Sequence, residues 1–371
     1  MKKDFFKKNW IYIALLCFIA AVNIYSRFEA KKEPAGEVKK ESPSLEGAEN
    51  PTLFVEFEEA QRRSKKIEEV LKGDIPLYIL YISANLLVFM VLLLGFVIDG
   101  YFIFGIFRKK NIFRKSPGMR APPWKISDVF RIIILALAFG YVFYIAFGVF
   151  LDFLQSVTNT KFRFYENENF RMIFDTIILD FIVFAVVLGF LWKIYGRRLA
   201  SLGFAKKNMA RNLFYGVSGY VGVLPVIFII GILVYAILNL FKIKPPPQPI
   251  VGLFLGEENV LFIATSGVIA AIFGPVIEEI FFRGVMYNAV KRKLGVFRAI
   301  LITSVLFSFL HTHAMTYFLV GFMPIAILGA VLAYLYEKTG SLIPSVTLHM
   351  LNNLGSILMV FLFKYFNSLV Q

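Results

Sequence analysis

Cysteine is nearly absent. Cys17 is the only one in 371 residues, which excludes an intramolecular disulfide and any zinc site built on thiolates. Leu16 stands before it where a lipoprotein signal wants a small residue, so Cys17 reads as lipid-facing filler. Charge is scarce as well, at 18% of residues, too few to coat a soluble domain of this size. Histidine occurs three times, no His-Glu-x-x-His helix is present, and no internal repeat supports an inverted-repeat transporter.

What fills the chain is apolar. Hydrophobic residues make up 58%, with 42 Phe and a mean hydropathy of +0.69. Long apolar runs recur at 10–26, 76–107, 129–154, 173–195, 213–241, 260–290, 299–313, 317–336 and 344–366. A run of about 20 residues crosses a hydrocarbon layer. The expected fold is therefore all-α, a polytopic membrane bundle of about nine transmembrane helices. A short charged extramembrane arm is expected after the first.

The net charge of +15 does not imply a nucleic-acid partner, because the cations sit in loops between apolar runs. Loop 108–127 has seven Lys or Arg and no acid, loop 193–212 has six and no acid, and loop 288–298 has Lys291, Arg292, Lys293 and Arg298. The alternate loops 155–171 and 242–258 are mixed. By the positive-inside rule the N-terminus is cytoplasmic and the C-terminus outside, in a cell-membrane protein. Residues 1–26 read as an uncleaved signal anchor, since Lys2, Lys3, Lys7 and Lys8 precede the first run and no small-x-small site follows it. Residues 27–75, with 10 basic and 12 acidic side chains, read as the arm, partly disordered and a candidate partner-binding module. Residues 76–127 add a further span and a basic loop, and 128–366 form the core.

Ionisable residues inside apolar helices are costly and mark interior or water-filled sites. Three groups stand out in the last third. They are Glu278-Glu279 with Arg283, Phe307 with His311, and His349 with Asn352 and Asn353. At about 100° per residue Arg283 lies over Glu279 but about 140° from Glu278. Glu279 and Arg283 can therefore neutralise each other, and Glu278 needs a different partner. His349 and Asn353, four apart, can reach one point beside their helix. Glu278 and His311 each lie 13 residues from a basic loop, roughly 20 Å deep, and His349 roughly 8–16 Å. A carboxylate and an imidazole can polarise water, while an imidazole and an amide can hold an oxyanion. The competing readings are a static polar network and a proton path. His313 reads as a hydrogen-bonded core residue or a surface one.

In these residues the sequence resembles the CAAX-endopeptidase and bacteriocin-processing (CPBP, or Abi) family of intramembrane proteases. The family's Glu-Glu-x-x-x-Arg, Phe-x-x-x-His and His-x-x-x-Asn elements match Glu278-Glu279…Arg283, Phe307…His311 and His349…Asn353, in order. Ser201-Leu-Gly-Phe204 and Gly340-Ser-Leu-Ile-Pro344 match more loosely, and the likeness covers roughly 199–357. The resemblance implies that Glu278 and His311 activate water and that His349 and Asn353 form an oxyanion hole. Glu279, Arg283, Phe307 and Asn352 would support them. It also implies about eight membrane helices around a conical cavity open to the cytosol and bilayer. A carboxylate, two imidazoles and an amide are a donor set zinc accepts. With no His-Glu-x-x-His and three separate helices, a mechanism with no metal or other cofactor is favoured. The expected substrate is a membrane protein or lipidated peptide. The alternatives are a non-catalytic scaffold or immunity factor working through the arm, and a transporter using Asp175, Asp180 and Glu278.

Overall fold

The computed structural model describes residues 9–20, 62, 65–67, 69–70, 72–108, 122–162, 165, 167–204, 208–242, 249–312 and 315–368. His313, most of the 27–75 arm, residues 21–26 and the loop stretches 109–121 and 243–248 lie outside these. Among the described residues the chain is helical and has no strand.

In chain order the helices are α1 (Asn9–Ala20), α2 (Ile75–Phe107), α3 (Ile126–Thr158), α4 (Glu168–Ile194) and α5 (Met209–Leu240). They continue as α6 (Pro249–Gly256), α7 (Val260–Leu294), α8 (Val296–His311), α9 (Met315–Thr339) and α10 (Leu342–Ser368). Seven are long and apolar enough to cross a membrane, and α1 and α8 are apolar but shorter. This is a polytopic helical membrane bundle. Its outward positions are greasy, as with Leu86, Phe89, Phe214 and Phe363, and its largely apolar interior also buries polar side chains such as Asn212, Glu279, Arg283 and Ser345. Large apolar side chains stand outside as well as inside because a solvent that is itself apolar does not drive them inward.

The short helix α6 was not anticipated in loop 242–258. Its eight residues are too few to span. Lys364 from α10 fixes its end by donating to the carbonyls of Phe254 (3.4 Å) and Glu257 (2.8 Å).

Packing divides the chain differently from the sequence-level core of 128–366. Helices α1, α3 and α4 form one unit, and α2 with α5–α10 forms another. In the first, Asp128 opens α3, accepts the Lys125 N–H (2.8 Å), pairs with Arg131 (3.1 Å) and accepts the Tyr195 hydroxyl (2.5 Å). Arg131 in turn donates twice to Asn9 Oδ1, which ties α1 to α3. In the second, Pro225 inside α5 has no N–H, so the Val221 carbonyl loses its helical donor. Gly95 of α2 packs there so closely that a Cβ would stand 2.4 Å from Val221 O and 2.5 Å from the Pro225 ring. That close fit places α2 with α5 rather than apart from the core.

Candidate active site

Helix α7 carries the acidic pair, and its sequence makes it irregular. It contains π-helical turns at Ile269–Phe273 and Ile280–Tyr287. Pro275 accounts for part of the first. The Gly274 N–H bonds the Ile269 carbonyl five residues back, so the same register would pair Ala270 O with Pro275, which has no N–H to give. A buried carbonyl without a donor is costly. Asn353 of α10 satisfies it, donating from Nδ2 to Ala270 O at 2.9 Å. Side-chain donors also serve the second π turn. Asn288 donates to Arg283 O (3.0 Å) and Gly284 O (2.9 Å), and Trp124 donates to Val285 O (3.1 Å).

Glu279 and Arg283 are both fully buried and meet at 2.7 Å, as the i, i+4 spacing predicts. The guanidinium also donates to Gly329 O of α9 (3.1 Å) and lies over the Phe307 ring, 4.6 Å from its centroid. Sequence spacing did not reveal a third link: Glu279 Oε1 lies 3.0 Å from His349 Nδ1. A carboxylate beside a guanidinium is an acceptor, so Nδ1 carries the proton and Nε2 turns toward Glu278, 3.8 Å away.

Glu278 faces elsewhere. Its Oε2 lies 3.3 Å from His311 Nε2, and that oxygen makes no hydrogen bond of good geometry although it is buried. His311 Nδ1 is held by the Phe307 carbonyl, 2.8 Å away, which can only accept. The imidazole therefore presents Nε2 to the carboxylate. The side chains of Glu278 and His311 are 27% and 33% exposed, against 0% for Glu279 and 3% for His349. One half of the group is locked away, and the other is open to a reactant.

The structure thus brings Glu278, His311 and His349 together from α7, α8 and α10. Phe307 packs against both imidazoles, tilted on His311 (centroids 4.3 Å) and edge-on to His349 (5.5 Å), beneath Arg283. Asn353 lines the same cavity of about 330 Å³ as His311 and His349, with its amide committed in part to Ala270. Asn352 lines it too, 3.4 Å from Asn353 Oδ1. Among the described residues no three His, Cys, Asp or Glu side chains gather as metal ligands. The two looser motifs also find a place, because they dock on each other. Gly203 O accepts from Ser341 Oγ (3.0 Å) and Leu342 N (3.3 Å), and Tyr336 donates to Leu202 O (3.1 Å). Gly203 has φ +104° and lies so near Gly340 O that a Cβ would be 2.9 Å from it, so both steric and torsional reasons require glycine.

Comparison with known proteins covers the stretch of chain that carries these residues. Residues 260–355 match the family model described as type II CAAX prenyl endopeptidase Rce1-like. A Bacillus subtilis (strain 168) protein titled "Putative membrane peptidase YdiL" is 30% identical over 95 residues, 25% of this chain and 36% of that protein. The chain thus matches about a third of the length of that relative. No solved structure matches the chain.

Proposed function

We propose that this chain, whose residues 260–355 belong with the Rce1-like CAAX endopeptidases of the CPBP family, is an intramembrane endopeptidase with Glu278 as its general base. One observation carries the reading: Glu278 is a carboxylate left over after its neighbour is neutralised, held 3.3 Å from an imidazole whose other nitrogen is fixed. Glu278 takes a proton from water, whose oxygen attacks the carbonyl carbon. His311, whose Nε2 lies 3.3 Å from the base, takes that proton over from Glu278 and passes it to the leaving amine. The developing oxyanion is met by the second N–H of Asn353 and by His349, whose ring is oriented by Glu279 through Nδ1. Glu279, Arg283 and Phe307 position that imidazole and do not touch the substrate.

Water activation in this scheme belongs to Glu278 and needs no metal. The substrate is a membrane-associated protein or peptide, and the protein resides in the cell membrane with its basic loops cytoplasmic. Comparing the protein termini in membranes of cells carrying wild type or Glu278→Ala tests the reading. Termini lost with Glu278→Ala and unaffected by a chelator are expected. Identical termini in both would refute proteolysis, and termini abolished by the chelator would refute the metal-free step.

A further inference from the structure

We infer that the cavity is entered from the end of the bundle opposite the basic helix ends, so a substrate's scissile bond arrives from the leaflet facing away from Lys291, Arg292 and Lys293. This rests on the proteolytic reading above. It also reverses the cytosolic approach that the family resemblance implies.

The direction is written along α10. His349, Asn352, Asn353 and Ser356 recur at i, i+3, i+4 and i+7, a single polar stripe on one helix face. Back toward the basic end, the same stripe passes through Ser345 and the helix-start Ser341, both fully buried. Ser345 donates to Leu332 O (2.9 Å) and Ser341 to Gly203 O (3.0 Å), which binds both into the packed interior. Beyond His349 the burial is relieved, because Asn352 and Asn353 are half-buried and Ser356 is exposed. A polar stripe in a lipid-bounded bundle that is sealed at one end and open at the other points to where water enters.

The cavity's other walls agree. Ala270 lies eight residues beyond Glu278 on the side away from the basic end of α7, and Ile227 lies eighteen residues into α5. His311 ends α8, fifteen residues from its basic-side start. No lining residue lies between Glu278 and the basic end of α7. That interval is solid instead. All eight residues of the π turn Ile280–Tyr287 are buried, Leu202 rests on Gly284, and Tyr336 and Asn288 close the layer with a 2.8 Å hydrogen bond. Entry from the basic side would have to expel the Leu202 loop and expose the buried Arg283.

Cys17 is the chain's only cysteine, so Cys17→Ser gives a background for single-cysteine labelling. Ser356→Cys reports the cavity mouth and Arg298→Cys, exposed at the start of α8, reports the basic side. In sealed vesicles treated with a charged, membrane-impermeant maleimide on one side at a time, the two cysteines are expected to label from opposite sides. Attachment of a bulky maleimide at Ser356→Cys is expected to stop cleavage. Labelling of Ser356→Cys from the Arg298→Cys side would overturn the inference, as would labelling only after the vesicles are dissolved in denaturant. Sidedness is read without any cleavage. A chain that labels as expected yet cleaves nothing refutes the proteolytic reading alone, whereas cleavage with reversed labelling refutes only the route.

Discussion

Two polar clusters, one in each unit, are built from the same parts and end differently. In the α1–α3–α4 unit, Asp128 and Arg131 sit at i, i+3 on one helix and draw in Tyr195, just past the end of α4, and Asn9 of α1. In the larger unit, Glu279 and Arg283 sit at i, i+4 and draw in His349 and the Gly329 carbonyl. Both clusters cancel an acid against an arginine and hold helices together. The larger unit has one carboxylate more. Glu278 has no cation on its own helix face, and its partner is an imidazole that can carry a proton or release it. Paired charge supports the bundle in both units, and the proposed chemistry is assigned to the surplus acid in one of them.

The sharpest break in this comparison is loss of the surplus acid. Glu278→Ala should reduce cleavage by a factor of about 10³ or more, about 4 kcal/mol in barrier, while the protein purifies and unfolds as the wild type does. Removing the arginine of the larger cluster should act on folding instead. Arg283→Ala leaves Glu279 buried without its cation and should destabilise by about 3 kcal/mol, read as a lowered thermal midpoint in detergent. Asn353→Ala removes the proposed oxyanion donor and the cover on Ala270 O, and kcat should fall by about 10² with KM little changed. The smallest effect belongs to the other cluster. Asp128→Ala should cost about 1 kcal/mol of stability, chiefly through the lost helix-start acceptor, and leave cleavage intact. Equal losses of activity from Asp128→Ala and Glu278→Ala would erase the distinction between the clusters.

Much of the architecture was legible in the sequence because lipid demands long apolar helices and penalises stray charge. The expected spans at 129–154, 213–241, 260–290 and 344–366 lie within or across α3, α5, α7 and α10. The Glu279–Arg283 pair was legible because four residues bring side chains together in α and π turns alike. Less visible were features that depend on defects in regular helix. Pro275 could be seen in the sequence, yet not that its missing N–H would orphan Ala270 O and recruit Asn353. The link from His349 to Glu279 joins residues seventy apart, and no spacing rule along one helix reaches that far. The eight-residue helix α6 was hidden in a proline-rich loop, because a run that short is ambiguous until a partner such as Lys364 holds it.

The central claim is that the surplus carboxylate, and not the paired one, is the base. The most direct test is cleavage of a membrane substrate by purified Glu278→Gln, which keeps the side chain's shape and removes only its basicity. Cleavage should disappear while the thermal midpoint stays equal to that of the wild type or rises, since an amide relieves a buried carboxylate oxygen that lacks a hydrogen bond. Wild-type cleavage by Glu278→Gln would contradict the account.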